Sequence, residues 1–441
     1  MASISRALVR IKEDLQPFVT EQDVRDACHA VGHQWRQRVL DPVTTVHVFV
    51  LQILHANTAI SHLRHLAGIA MTPAAYCRAR MRLPLEVFHR LLEQTATAFA
   101  AKQSAEWEGP RTFLVDGSST ICPDVPSLQA AYGQPPNQKP GCGFPVPKLL
   151  GLFDAATGMI RSLEVQPLFS HEQSGVWKLH PLLQAGDLLV GDRGFCSFVH
   201  LAMLAARGLY GLFRMHQRMI VSFKPHRKAG GKGRPSSTYV QRLGRYDQLV
   251  DWKKPQAKPK WMTRAQYDAL PATLRVREVR YWLPRKGQRT RVVTIATTLL
   301  DADRYPREMI AELYGVRWTV ETHFAELKTT LKMKQVKCKT LDGVLKELAV
   351  YCLVYNLVHA VMLEAAARQQ VDPRRISFTD TVRWLTTATV GEPLPALWVN
   401  PHRPDRYEPR KIKNRKDNYP KMNKPRRILK QELRLRGANA K

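Results

Sequence analysis

RTFLVDGSS, residues 111–119, is an apolar run that ends on an aspartate followed by small, turn-forming residues. Phe113-Leu114-Val115 suit a buried strand, and Asp116 stands where that strand would leave the core. Downstream, KLLGLFDAATGMIRSLEVQPL (148–168) reads as two strands joined through Ala156-Thr157-Gly158, and LLVGDRGF (188–195) repeats the first pattern, closing on Asp192. Helical stretches, SGVWKLHPLLQ (174–184) and FVHLAMLAARG (198–208), flank that second run, and LYGLFRM (209–215) is strand-like again. Strands interleaved with helices predict an α/β layer with a mixed sheet. Carboxylates at strand C-terminal ends project into the crevice where such sheets place their sites. A single aspartate there is more often a turn or cap residue, so the repetition of the pattern carries the argument.

Upstream, residues 1–108 read as all-helical. Thr20-Glu21-Gln22-Asp23 resembles a capping box, Thr72-Pro73 sets a cap residue before a first-turn proline, and LPLEVFHRLLEQTATAFAA follows with apolar residues at helical spacing. NTAISHLRHLAG and TPAAYCRARMRL form two short helices around a glycine turn, the second carrying Arg78, Arg80 and Arg82. They suit either helix-turn-helix reading of DNA or a plain bundle with a solvated basic face.

Beyond residue 215 the composition shifts. Residues 214–291 hold 21 Lys and Arg against four acidic residues, a net of +17 within a chain whose formal net charge is +31. A Gly- and Lys-rich segment, KPHRKAGGKGRPSS, precedes β-like pieces with Tyr239, Trp252, Trp261, Tyr281 and Trp282 set among the cations. A solvated linker accounts for the glycines but not the aromatics, whereas DNA contact accounts for both, with phosphates on the cations and an unstacked base on a ring. After a strand at VVTIATTLL (292–300) comes one long helix, about Pro306 to Lys334. An apolar helix over 341–369 follows, too short in its uninterrupted apolar part and too polar at Asn356 and His359 for a membrane span, then an Arg- and Lys-rich tail from 402. The expected order is a helical N-terminal DNA-binding domain (1–108), a catalytic core in two parts (109–215 and 292–372), a basic β-rich insertion between them (216–291), and a basic C-terminal region (373–441).

Composition narrows the class. The positive charge is spread along the chain, and 24% charged residues with nine Trp describe a folded polyanion binder rather than a disordered basic chain. Seven scattered Cys, never spaced Cys-x-x-Cys, exclude a disulfide framework and a zinc ribbon. The polar N-terminus lacks a signal-peptide core, so a cytoplasmic chain with no membrane partner is expected.

The chemistry is carried by the helix at 306–334. Tyr314, Arg317, Glu321 and Lys328 stand at i, i+3, i+7 and i+14, and at about 100° per residue they share a stripe roughly 60° wide. A solvated face would also produce a polar stripe. Together with two strand-end aspartates, however, the carboxylate on that stripe matches the all-oxygen ligand set of a two-magnesium phosphoryl-transfer site.

At these residues the sequence resembles the DDE transposases of bacterial insertion sequences, the IS-four family, whose Tyr-(2)-Arg-(3)-Glu-(6)-Lys signature Tyr314, Arg317, Glu321 and Lys328 match at every spacing. VDGSS and GDRGF look like that family's first two acidic blocks, and YCRARMRL like its N-terminal block. The resemblance implies a ribonuclease H-like mixed-sheet core interrupted by a β-rich insertion. It also implies a catalytic and metal-binding triad of Asp116, Asp192 and Glu321, with Mg2+ (or Mn2+) as cofactor, and DNA contacts by Tyr314, Arg317 and Lys328. The partners it implies are double-stranded DNA and a second protomer in a synaptic homodimer, and the expected activity is cleavage at element ends and strand transfer into target DNA. A structure-specific nuclease and a non-catalytic DNA-binding derivative are the alternatives. Trp282, with Trp252 and Trp261 as rivals, is the candidate to stack a flipped base; Glu172 reads as a helix-start residue in preference to a supporting carboxylate.

Overall fold

Strand β1 (Thr112–Ser119) is buried over its first four residues and half-exposed over its last four, so the chain emerges from the core at Asp116. In this computed structural model, which describes residues 19–100, 109–225, 228–230, 234–282, 292–388, 393–403, 422 and 424–438, β1 lies inside one nine-stranded sheet. Its order is β3-β2-β1-β4-β5-β9-β8-β7-β6. β2 (Lys148–Asp154) and β3 (Ile160–Gln166) form an antiparallel meander with β1, turning through Gly158 at φ +69°. β4 (Leu188–Gly191) and β5 (Tyr210–Arg214) add parallel to β1, as expected when helical connections separate strands. The fold is thus a mixed α/β sheet, as the sequence predicts.

The insertion does not leave this sheet. β6 (Thr238–Gly244), β7 (Asp247–Lys253) and β8 (Thr273–Trp282) are antiparallel, and β9 (Val292–Thr297) pairs with β8 on one side and with β5 on the other. One ladder of backbone hydrogen bonds therefore links the insertion to the strands that carry Asp116 and Asp192.

Alternation along the strands builds a core on each face. Leu114, Val190 and Leu212 join the larger cluster, while Phe113, Val115, Leu189 and Phe213 join the other. The larger core is organised by the helix Leu341–Gln369, whose apolar run lies inside the protein, packed against β3 and against the helices Pro42–Leu54 and Leu85–Ala100. Its polar residue Asn356 is fully buried and clips the edge strand: it accepts from Ile160 N and donates to Ile160 O, both at 2.9 Å. The N-terminal helices share this core with the sheet. Thr20 and Asp23 form the reciprocal capping box, and Thr72 caps the helix Pro73–Arg82.

Two expectations about basic residues change. Arg80 donates to Gln52 Oε1 and lies 4.3 Å over the Phe49 ring, so it braces the bundle, while Arg78 and Arg82 stay exposed. In the insertion, Arg277 is fully buried against Asp247 and donates to the Tyr305 carbonyl at 2.7 Å. A buried guanidinium needs such partners. The charge count of a segment cannot separate these structural cations from surface ones. Most of the basic tail, residues 404–421 and 423, lies outside the described residues. Beyond them, Arg426 at the start of the helix Arg426–Ala438 stacks 3.8 Å over Phe144 and donates to the Cys142 carbonyl.

Candidate active site

β1 and β4 are neighbouring parallel strands in register through Val115 and Gly191. The next residue on each is Asp116 and Asp192, so the two carboxylates leave the same edge of the sheet side by side. Burial lifts the Asp116 carboxyl above its ordinary range, and the charges of Asp192 and Glu172 add to this, opposed by the Gly117 N–H at 2.7 Å and by Arg317. The loop after Asp192 is tied down from within. His200 Nδ1–H donates to the Phe195 carbonyl at 2.7 Å, which leaves His200 Nε2 to accept from His180 Nε2–H at 3.0 Å. Burial pushes the His180 and His200 imidazoles down to about 2 and about 4, so both stay neutral.

Three signature residues, Tyr314, Arg317 and Lys328, reach this edge, by a less regular route than a single helix. The helix Arg307–Val316 ends in a tight turn, where Arg317 N bonds Tyr314 O and Trp318 N bonds Gly315 O; a second segment, Thr319–Ala325, passes into a wide turn over Glu326–Thr330. Thr319 Oγ1 bonds back to the Val316 carbonyl at 2.8 Å, which supports the break. The tightened turn advances the angular phase and the wide turn retards it, so ideal-helix arithmetic places the stripe only approximately. The contacts place three of its members directly. Tyr314 donates to Asp192 Oδ1 at 3.4 Å, Arg317 Nη1 lies 3.7 Å from Asp116 Oδ2, and Lys328 donates to Ser118 Oγ at 3.2 Å. Glu321, one turn beyond Arg317 on the segment that packs against β1, is exposed. Burial raises the Tyr314 hydroxyl pKa and lowers that of the Lys328 ammonium.

Of the three tryptophans weighed for base stacking, Trp252 is excluded, because it is buried with its Nε1–H on Glu278. Trp261 is half-buried against the insertion core. Trp282 is 46% exposed at the end of β8, braced edge-on by Tyr246 with ring centroids 4.5 Å apart. Sequence reasoning passed over Trp318, 38% exposed and stacked beneath the Arg317 guanidinium at 4.3 Å, although its position next to Arg317 was the available signal. Glu172 sits at the N-cap position of a short helical turn, yet its side chain makes no capping bond. Glu172 therefore starts the helical turn, as the sequence suggests, without capping it by its side chain.

Also unforeseen is a buried cluster beneath the signature helix: His323, Glu326 and His359, with their donor atoms within 4.8 Å of one another. Such spacing suits a metal, but both histidines direct their Nδ1 protons to oxygens outside the cluster, and burial lowers the pKa of His323. Tyr355 spends its hydroxyl proton on the Gly158 carbonyl, so its contact with His323 Nδ1 at 2.8 Å is filled by the histidine's proton. His359 Nδ1 likewise donates to the Thr157 carbonyl. Burial alone would raise the Glu326 carboxyl, but its contacts with His323 and His359 prevail and hold it well below the ordinary range. The cluster locks the signature helix to the β2–β3 turn and to the helix Leu341–Gln369.

The family model for the transposase DDE domain matches residues 107–357, more than half of the chain and the span that holds both strand-end aspartates and the whole signature. The chain belongs to the DDE transposases. Among curated relatives, the transposase InsG for insertion sequence element IS4 of Escherichia coli (strain K12) is 27% identical over 373 residues, covering 79% of this chain and 78% of that protein. The IS-four resemblance is thereby borne out. Among solved structures, a cryo-EM structure of a piggyBac transposase synaptic complex with hairpin DNA matches 86% of this chain and 78% of its own at 9% identity, with a TM-score of 0.43. As a DDE transposase, the protein acts on DNA in recombination.

Proposed function

We propose that this transposase cleaves DNA at the ends of its insertion sequence and joins the freed ends to target DNA, using a ribonuclease H-like core in which Asp116, Asp192 and Glu321 hold divalent ions. The observation that carries the reading is the side-by-side exit of Asp116 and Asp192, with Tyr314, Arg317 and Lys328 held against the same sheet edge. The donor set fits a hard divalent ion such as Mg2+ or Mn2+, being all carboxylate oxygen with more negative charge than Arg317 balances. Bound there, a metal pair would supply activation of a water or 3′-hydroxyl and stabilisation of the leaving oxygen.

The chain's own groups do the positioning. Arg317, buried against Asp116 and backed by Trp318, orients the first acidic block and presents a guanidinium edge to the scissile phosphate. Lys328, anchored among the described residues by the Ser118 hydroxyl, is placed to take a neighbouring phosphate, and Tyr314 hydrogen-bonds Asp192 rather than acting as a nucleophile. Trp282 offers an exposed ring to an unstacked base. The helices before residue 108, the insertion 216–291 and the basic C-terminal region grip duplex DNA, and a homodimer processes two ends together in the bacterial cytoplasm.

The deciding experiment incubates the protein with the DNA flanking its own gene, with and without Mg2+ or Mn2+, and then supplies a pre-cleaved end with target DNA. Metal-dependent end cleavage and joined product are expected. Hydrolysis without joining identifies a nuclease instead, and binding without cleavage a non-catalytic derivative.

A further inference from the structure

We infer that Glu172 is a fourth carboxylate of the divalent-ion site, contributing an oxygen ligand beside Asp116 and Asp192 from the connection between β3 and β4. The inference rests on the metal reading above and extends it to a residue outside the signature.

Two glycines make the case. A Cβ on Gly117 would stand 2.8 Å from Glu172 Oε1, and a Cβ on Gly194 would stand 2.6 Å from Glu172 Oε2. Each carboxylate oxygen thus lies in a space that exists only because the residue there lacks a side chain, and these glycines belong to the two acidic blocks, Asp116-Gly117 and Asp192-Arg193-Gly194. Neither has a positive φ, so backbone conformation does not explain the choice of glycine. Close approach by Glu172 does.

The turn is held in place independently: Gln173 Nε2 donates to the Gly194 carbonyl at 3.0 Å, and Lys148 Nζ donates to the Ser170 carbonyl at 2.7 Å. Glu172 itself makes no capping bond to the helical turn it begins. Among the described residues its carboxylate has no hydrogen bond or ion pair, and its charge adds to that of Asp192 in raising the Asp116 carboxyl. Three carboxylates gathered without an equal number of cations are mutually repulsive in the metal-free protein, and a shared divalent ion turns that repulsion into ligation. A structural role for Glu172 would need a partner group, which is what it lacks.

The test measures Mn2+ binding by electron paramagnetic resonance of the free ion, on the full chain without DNA, for wild type, Glu172→Gln, Gly194→Ala, Asp116→Asn and Asp192→Asn. Thermal melting of each metal-free protein accompanies it. Glu172→Gln is expected to weaken Mn2+ binding at least about tenfold while the metal-free melting temperature holds or rises, because a like charge is removed. Gly194→Ala keeps the glutamate but fills its space, so it should weaken binding in the same direction, and it serves if Glu172→Gln does not fold. Wild-type Mn2+ affinity in both, with binding lost in Asp116→Asn and Asp192→Asn, overturns the role of Glu172 alone. Wild-type affinity in the two aspartate variants as well overturns the metal reading on which it rests. A fall in the metal-free melting temperature of Glu172→Gln with Mn2+ affinity unchanged assigns the residue a structural role and also rejects the inference.

Discussion

Asn356→Leu tests how the long buried helix holds the sheet. The side chain is fully buried and makes two hydrogen bonds of 2.9 Å to the backbone N–H and C=O of Ile160, at the start of the edge strand β3. Leucine keeps the volume but satisfies neither group, so two buried backbone atoms lose their partners at about 1–3 kcal/mol each, or about 2–6 kcal/mol together. The cost falls on one site, so the amide of Ile160 is the right reporter. Its native-state hydrogen exchange should accelerate at least about 30-fold, the lower bound corresponding to 2 kcal/mol. Amides of β4 and β5, on the far side of β1, should change less. Asn356→Asp, which can still accept from the Ile160 N–H, should fall between the two. An Ile160 amide that exchanges at the wild-type rate in Asn356→Leu would refute the claim that this asparagine clips the strand.

Other expectations follow from the same geometry. Lys328→Ala, removing a half-buried cation whose ammonium rests on the Ser118 hydroxyl, should reduce the salt slope of DNA binding by about one, measured as log affinity against log salt; an unchanged slope removes its phosphate contact. Arg317→Ala should cut cleavage about 100-fold or more and weaken binding by less, because the Arg317 residue is 3% exposed and already paired with Asp116. Equal loss of binding and cleavage would contradict this division of labour. Trp282→Ala should slow end processing while sparing overall stability, since the ring is already half in solvent, and a marked fall in melting temperature would make it a core residue. Stability should fall with acid. His180 and His200, both depressed by burial, stay neutral in the fold while the unfolded chain takes up protons below its ordinary histidine pKa of 6.5, so stability present above that pH is lost from 6.5 down to about 4 for His200 and about 2 for His180. The slope reaches roughly 2.7 kcal/mol per pH unit for the pair, and denaturation at several pH values should show it flattened in His200→Gln.

What was legible in the sequence was whatever depends on local pattern. Apolar runs closing on Asp116 and Asp192, the β2–β3 turn at Gly158, the caps at Thr20 and Thr72, and the spacing from Tyr314 to Lys328 are set within one or two elements, so side-chain period and turn chemistry suffice to read them. What the sequence left open are the positions where the same residue type serves opposite ends. Arg80 and Arg277 are cations spent on the interior, Trp252 is a core ring in a segment that looks like a DNA-binding surface, and Glu172 occupies a cap position without capping. In each case the deciding group comes from a distant part of the chain, such as Gln52 for Arg80 or Gly117 and Gly194 for Glu172. Sequence alone therefore determined the α/β class, the family and the spacing of the signature residues. Only the tertiary structure decided that β6, β7 and β8 continue the sheet of β1 and β4, that the signature helix breaks at Arg317, and that the Glu172 carboxylate lies against Gly117 and Gly194. Strand pairing, burial and charge proximity act between residues far apart in the chain, and no local spacing encodes them.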